Sequence, residues 1–202
     1  MRRTLPTRGL KTILLTSAIA LAVAGCTDGS PEAPPAQQTT ATTSPESVAE
    51  PVEPAVDKLP VDAAPQVPGG RTSWQECPYL DTRWVADTNG QRVTGVGVDE
   101  RFSTPACVFW SYPEEPQLTV IVREMDTIDD AIAVVDWAAP VDTTELAEEP
   151  AGWSGGRRGG TDESGALYAV QKDTVAVAVF TNQDQSLKAQ LVAETVITNL
   201  GL

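Results

Sequence analysis

From residue 71 onward the apolar positions fall into short periodic blocks, and each block predicts an element. Leu80 and Trp84 stand four apart, which puts both on one side of a short helix over Asp81–Thr88. Asn89-Gly90 stops that helix, because glycine tolerates the left-handed angles found just past a helix end. Val93-Thr94-Gly95-Val96-Gly97-Val98 alternates large and small residues, which predicts a strand with a close backbone approach or a bulge. Ala106–Ser111 and Leu118–Arg123 predict two stronger strands, joined by a hairpin loop over Tyr112–Pro116. Thr127 caps a helix ending at Pro140, with Ile128, Ala131, Ile132, Val135 and Ala138 at helical spacing and Asp129 and Asp130 in its first turn. Residues 141–163 hold acids, Gly and Arg with little periodicity. A second hairpin follows, Ala166–Gln171 and Thr174–Thr181, turning at Lys172-Asp173. Val175–Phe180 is apolar at every position, as in a central strand covered on both faces. The last helix spans Asp184–Leu200, with Leu187, Leu191, Thr195, Val196 and Leu200 inward and Gly201 at its end.

The order is α-β-β-β-α-β-β-α with strands joined by hairpins. It predicts an α+β domain, an antiparallel sheet of about five strands with helices packed on it. In element order it is similar to the Mog1/PsbP-like sandwich.

Upstream the pattern changes twice. Arg2, Arg3, Arg8 and Lys11 precede an apolar run from Ile13 to Val23 that is interrupted only by Thr16 and Ser17. Eleven helical residues cover about 16 Å, roughly half a bilayer core, so residues 1–25 read as an export signal rather than a membrane span. Val23-Ala24-Gly25-Cys26 resembles the bacterial lipobox. That resemblance implies a diacylglycerol on the Cys26 sulfur, cleavage before it, and lipid anchoring at the outer face of the cytoplasmic membrane. Two acyl chains, at about 0.8 kcal/mol per buried CH₂, anchor a protein stably. Residues 26–70 then read as the lipidated cysteine and a tether. Nine prolines fall in 27–70, with no aromatic residue and seven acids against the single Lys58. Such a stretch buries too little apolar surface to offset its ordering entropy. All eleven aromatic residues lie in 71–202, which sets the boundary of one globular domain, read as a monomer.

Charge and composition narrow the chemistry. The 202 residues hold 14 Lys and Arg, 28 Asp and Glu and no His, a formal net charge of −14. This excess of acid repels phosphate backbones and excludes a general nucleic-acid binder. The lack of His removes Ser-His-Asp and Cys-His catalysis and His-bearing zinc sites, and no cofactor or metal is called for. With Cys26 lipidated, Cys77 and Cys107 remain, in a compartment that permits a disulfide. The alternative, a reactive thiol pair, lacks a C-x-x-C spacing.

The candidate binding segment is Trp153-Ser154-Gly155-Gly156-Arg157-Arg158-Gly159-Gly160. Glycines let backbone N–H groups approach a ligand, and arginine forks onto carboxylate or phosphate. One reading is a mobile loop for an anionic group, with Trp153 as a platform and Arg157 and Arg158 as its charge. The other is a solvated loop whose arginines pair with Glu148, Glu149 or Asp162. Trp84, Trp110 and Trp137 lie on predicted elements and belong to the core, whereas Trp74 and Trp153 lie in loops, where either can be exposed for binding. The acidic pairs Asp99-Glu100, Glu114-Glu115, Asp129-Asp130 and Glu148-Glu149 do not by themselves place two facing carboxylates, as a glycan hydrolase requires.

Cys77-Pro78-Tyr79-Leu80, Trp84 through Gly90, Pro105 through Trp110, Ala151-Gly152-Trp153 and Thr181-Asn182-Gln183 resemble an actinobacterial envelope lipoprotein family carrying a domain of unknown function. The resemblance covers most of 72–202 and implies an envelope-facing lipoprotein with one disulfide and no catalytic residues. The expected role is a non-catalytic module that binds an envelope lipid, glycan or protein. Its alternatives are an assembly partner in an envelope complex and a carboxylate-based cell-wall glycan hydrolase. Exchanging Cys26 for Ser is expected to move the protein from the membrane to the soluble fraction and to remove the acyl mass from its N-terminus. Unchanged partition and mass would contradict the lipobox reading.

Overall fold

The computed structural model describes residues 58–202. The described residues all belong to one unit. The signal segment, Cys26 and most of the tether lie outside the described residues. Within them the elements are α1 (Thr82–Asn89), β1 (Gly95–Asp99), β2 (Thr104–Trp110), β3 (Pro116–Glu124), α2 (Ile128–Ala138), β4 (Glu145–Ala147), β5 (Ser154–Arg158), β6 (Leu167–Lys172), β7 (Val175–Thr181) and α3 (Ser186–Leu200), with a 3₁₀ turn at Gly70–Thr72.

The caps form where the side chains call for them. Asp81 accepts from Trp84 N at 2.8 Å, and Thr127 Oγ1 accepts from Asp130 N at 3.1 Å. Gly90 and Gly201 close α1 and α3 in left-handed conformation.

The sheet has seven strands, not about five, in the order β1-β2-β3-β7-β6-β5-β4, and every neighbouring pair is antiparallel. Two meanders, β1-β2-β3 and β4-β5-β6-β7, lie side by side. Helix α2 carries the chain from the centre of the sheet to its far edge. The two additional strands, β4 and β5, come from the stretch without periodicity.

Each face has its own core. On one, α3 and the segment around Cys77, Tyr79 and Leu80 cover Val120, Val122, Val177 and Val179. The Cys77–Cys107 disulfide ties that segment to β2. On the other, α2 covers Ile121, Ala169, Ala176 and Ala178. Helix α3 sits on its face through Ala189, Val192, Ala193, Val196 and Ile197, while Leu187 and Leu191 are 67% and 47% exposed. Small residues let the helix lie close to a valine-rich sheet, which rotates the expected leucine face to the flank. In α2, likewise, Ala131, Val134, Val135 and Ala138 are buried, whereas Ile128 and Ile132 are outside. Of the three tryptophans expected in the core, Trp110 is buried, and Trp84 and Trp137 pack on it half-buried.

Residues 59–70, read from composition as the end of the tether, lie on the α2-side face of the domain. Inward positions Leu59, Val61, Ala63, Pro65 and Val67 alternate with exposed ones, and Leu59, Val61 and Ala63 pack on the core. This strap depends on glycine at β1. A Cβ on Gly97 would stand 2.1 Å from Val67 Cγ1, and one on Gly95 2.2 Å from the Arg71 carbonyl oxygen. The close backbone approach expected from Val-Gly-Val-Gly-Val is therefore made by the chain itself.

Polar groups clasp the strap at two points. Arg123, fully buried over the Phe102 ring, donates from Nη1 to the Pro60 carbonyl at 3.0 Å and from Nη2 to the Leu59 carbonyl at 2.9 Å. A buried guanidinium is costly without acceptors, so its charge holds this backbone in place. Asp99, also buried, accepts from Gln66 N at 2.6 Å and pairs with Arg101, whose Nη2 also reaches the Ala64 carbonyl. Burial acts to raise the Asp99 carboxyl. The Arg101 guanidinium and the N–H groups of Gln66 and Arg101 outweigh it and hold the carboxyl below the ordinary range.

Two outcomes follow. Arg123→Met leaves two strap carbonyls without their charged donor and is expected to cost about 3 kcal/mol in urea denaturation. The Asp99 clasp contributes fully above the unfolded carboxyl value of about 4, weakens below it, and is lost as pH falls through the lowered value of the folded chain. Protease cutting within 59–68 should therefore rise below about pH 4. Asp99→Asn should show the fast cutting already at neutral pH.

Candidate functional site

The connection from α2 to β6 builds the site. Pro140 ends the helix region, β4 pairs with β5 over three residues, and a cis Glu149-Pro150 bond precedes Trp153. Alternate residues of a strand point to opposite faces, and here the registers decide which. Leu146 lies opposite Gly156 and Ala169 on the α2 side, whereas Ala147 and Tyr168 belong to the α3-side core.

Between α2 and the β4–β5 ribbon runs a groove of about 330 Å³. Ile132, Val135 and Ala139 form its helix wall, Val141 and Leu146 its outer lip, and Gly155 and Gly156 its floor. Ile132, Val141 and Leu146 are 38%, 82% and 68% exposed, so the lip is apolar and open to water. The groove is in the lower part of the size range of small-ligand sites. Its polar groups are Asp136, Thr144, Glu145, Ser154 and Gln171. Gln171 Nε2 faces Ser154 Oγ at 3.4 Å, and the buried Gln171 Oε1 has no hydrogen-bond partner among the described residues.

The glycines seen in the sequence serve packing. A Cβ on Gly156 would meet Thr144 Oγ1 at 2.7 Å and Ala139 Cβ at 2.9 Å, and one on Gly155 would meet the Ala169 carbonyl oxygen at 2.1 Å. They let α2 and the neighbouring strand close on β5.

The expected mobile loop is thus a strand, and its three candidate residues do not converge. Trp153 is buried in the α3-side core, 4% exposed, with Lys172 Nζ 5.9 Å from its ring centre. It is no ligand platform. Arg157 and Arg158 are adjacent on β5, so they point to opposite faces and cannot fork onto one anion. Arg157 Nε lies 3.8 Å from Glu145 Oε2, and Arg158 Nη2 donates to Ser164 Oγ at 2.9 Å. Of the two loop tryptophans, Trp74 is the exposed one, at 63%.

Other sequence leads resolve into structure. Asp99 is committed to the strap, Glu100 accepts from Gln75, and Asp130 engages Thr127. Asn89 and Thr181-Asn182-Gln183 meet in a network of amides. Asn89 Nδ2 donates to the Gln117 carbonyl, Gln91 Nε2 to Asn182 Oδ1, and Lys188 Nζ to Gln183 Oε1 and the Asn89 carbonyl. The network ties α1, the β2–β3 hairpin and the start of α3 together. Among the described residues no three or more His, Cys, Asp or Glu gather as a metal site, and no helix is long and apolar enough to cross a membrane.

Sequence reasoning missed Val141 and Leu146 and read Ile132 as part of the inward face of α2. Leu146 between two short acidic runs was the available signal, too brief to read as a strand.

Residues 59–202 match the family model described as a domain of unknown function, DUF2020, and the chain belongs to that family. The matched region begins where the strap does. No curated protein matches the chain.

The burial of Trp153 gives a direct expectation. Trp153→Ala should destabilise the domain by about 3–5 kcal/mol in chemical denaturation. Trp74→Ala should stay within about 0.5 kcal/mol of the parent. Equal effects would contradict the placement.

Proposed function

We propose that this DUF2020 protein is a lipid-anchored, extracytoplasmic binding module without catalytic function, and that the α2/β4–β5 groove seats its ligand. The observation that carries the reading is the open apolar lip of Ile132, Val141 and Leu146 above a glycine floor. Large apolar side chains held in water beside a concave surface mark a contact site. The groove combines an apolar body with a few hydrogen-bonding groups, and no nucleophile–base pair lines it, which favours binding over reaction. The lipobox at Cys26 and the proline-rich tether support a position outside the membrane. The helix-linked meanders support a Mog1/PsbP-like sandwich.

The test uses residues 26–202 with Cys26 replaced by Ser and Nile red as a neutral apolar probe. Saturable binding is expected, with Leu146→Asp and Ile132→Asp each weakening it at least about tenfold, near 1.4 kcal/mol. Both side chains are exposed enough for the variants to fold, which thermal unfolding checks. Binding that ignores both variants would remove the groove from the account.

A further inference from the structure

The two edges of the sheet are finished differently. At β1 the chain closes its own edge: Gln75 N donates to the Val96 carbonyl at 2.9 Å and Val96 N to the Ser73 carbonyl at 3.0 Å, with Trp74 bridged in parallel to Val96. At β4 no described strand or bridge lies beyond Glu145–Ala147. An unpaired edge offers a row of free N–H and C=O groups, and proteins ordinarily cover or blunt such an edge. Here the open edge borders the apolar groove, and Leu146 projects from it into the groove lip.

Charge selects among occupants. Asp136 and Glu145 line the groove, and Asp142 and Glu148 are exposed on either side of β4. Glu145 and its partner Arg157, 3.8 Å away, stand in register with Tyr168 and so turn to the α3-side face, while Asp136, Asp142 and Glu148 leave the surroundings of β4 net negative. An anionic lipid headgroup would be repelled. A chain carrying basic side chains beside apolar ones is complementary.

We infer, building on the groove as the binding seat, that its occupant is an extended peptide segment of a partner protein in which basic and apolar side chains alternate. The segment adds as a strand to β4. Its backbone pairs with the free edge, its apolar side chains enter the groove between Leu146 and Ile132, and its basic side chains, turned to the α3-side face, meet Glu145. Period-two alternation suits this arrangement, because one set of side chains turns to the groove face and the other turns away from it.

The test uses residues 26–202 with Cys26→Ser and a blocked, fluorescently labelled heptapeptide alternating Lys and Leu. Three controls accompany it: the same peptide with Glu for Lys, one N-methylated along the edge-pairing side, and vesicles of zwitterionic or anionic phospholipid. The Lys/Leu peptide is expected to bind, the Glu/Leu peptide to bind at least about tenfold more weakly, and N-methylation to abolish binding. Glu145→Lys and Glu148→Lys should each weaken the Lys/Leu peptide several-fold and rising salt should do the same, while Glu148→Lys, outside the groove lining, should leave Nile red affinity unchanged. If Nile red binds but the peptides bind regardless of charge or N-methylation, the strand-addition inference is overturned while the groove stands. Preference for vesicles over peptide overturns it in favour of a lipid ligand. If neither Nile red nor peptide binds, the groove reading itself falls.

Discussion

The sheet is wider than the helix laid across it, and the α2-side face is organised around that mismatch. Seven strands at about 4.8 Å spacing span about 29 Å. Helix α2 has eleven residues, a cylinder about 16 Å long and about 10 Å across. It covers the middle strands and leaves a flank on each side. The strap of residues 59–70 fills the β1–β3 flank, while the β4–β5 flank is left as the groove. The opposite face avoids the problem, since α3 is longer and the Cys77–Leu80 segment extends its cover. Strap and groove are thus two answers to the same shortage of cover.

The two flanks are also chemically distinct. The strap is held by charge acting on backbone, with Arg123 on the Leu59 and Pro60 carbonyls and Asp99 on the Gln66 N–H. Such contacts need no particular strap side chains beyond small apolar ones, which is why a segment so poor in large residues docks at all. The groove flank presents apolar side chains and carboxylates, with a hydrogen-bonding edge left over. A second segment of chain laid there would repeat on the right of α2 what the strap does on its left.

Most of the regular structure was legible because it rests on local rules. The hairpins, the cap at Thr127, the glycine stops and the doubly covered β7 all follow from periodicity and turn chemistry. Strands β4 and β5 were hidden because Gly155 and Gly156 are set by contacts with Ala139 and Ala169, and close packing leaves no apolar alternation to read. The strap was hidden by its prolines and acids, although Leu59, Val61 and Ala63 already stood two apart. The leucines of α3 misled because amphipathic spacing shows that a face exists, while alanines choose which face can approach a flat valine surface. At the site, Gly155 and Gly156 did border the groove, but for a different reason. Trp153 belonged to the core, and adjacency of Arg157 and Arg158 in a strand sends the pair apart.

One flank of the α2-side face is covered by the chain itself and the other is left open. Solvent paramagnetic relaxation from a small neutral nitroxide, read at assigned methyl groups of residues 26–202, measures this directly. Strong broadening at Leu146, Val141 and Ile132, with Ala106 and Ile121 protected across the sheet, is the predicted result. Protection of Leu146 and Val141 in the unliganded chain, or exposure of Ala106 and Ile121, would contradict it.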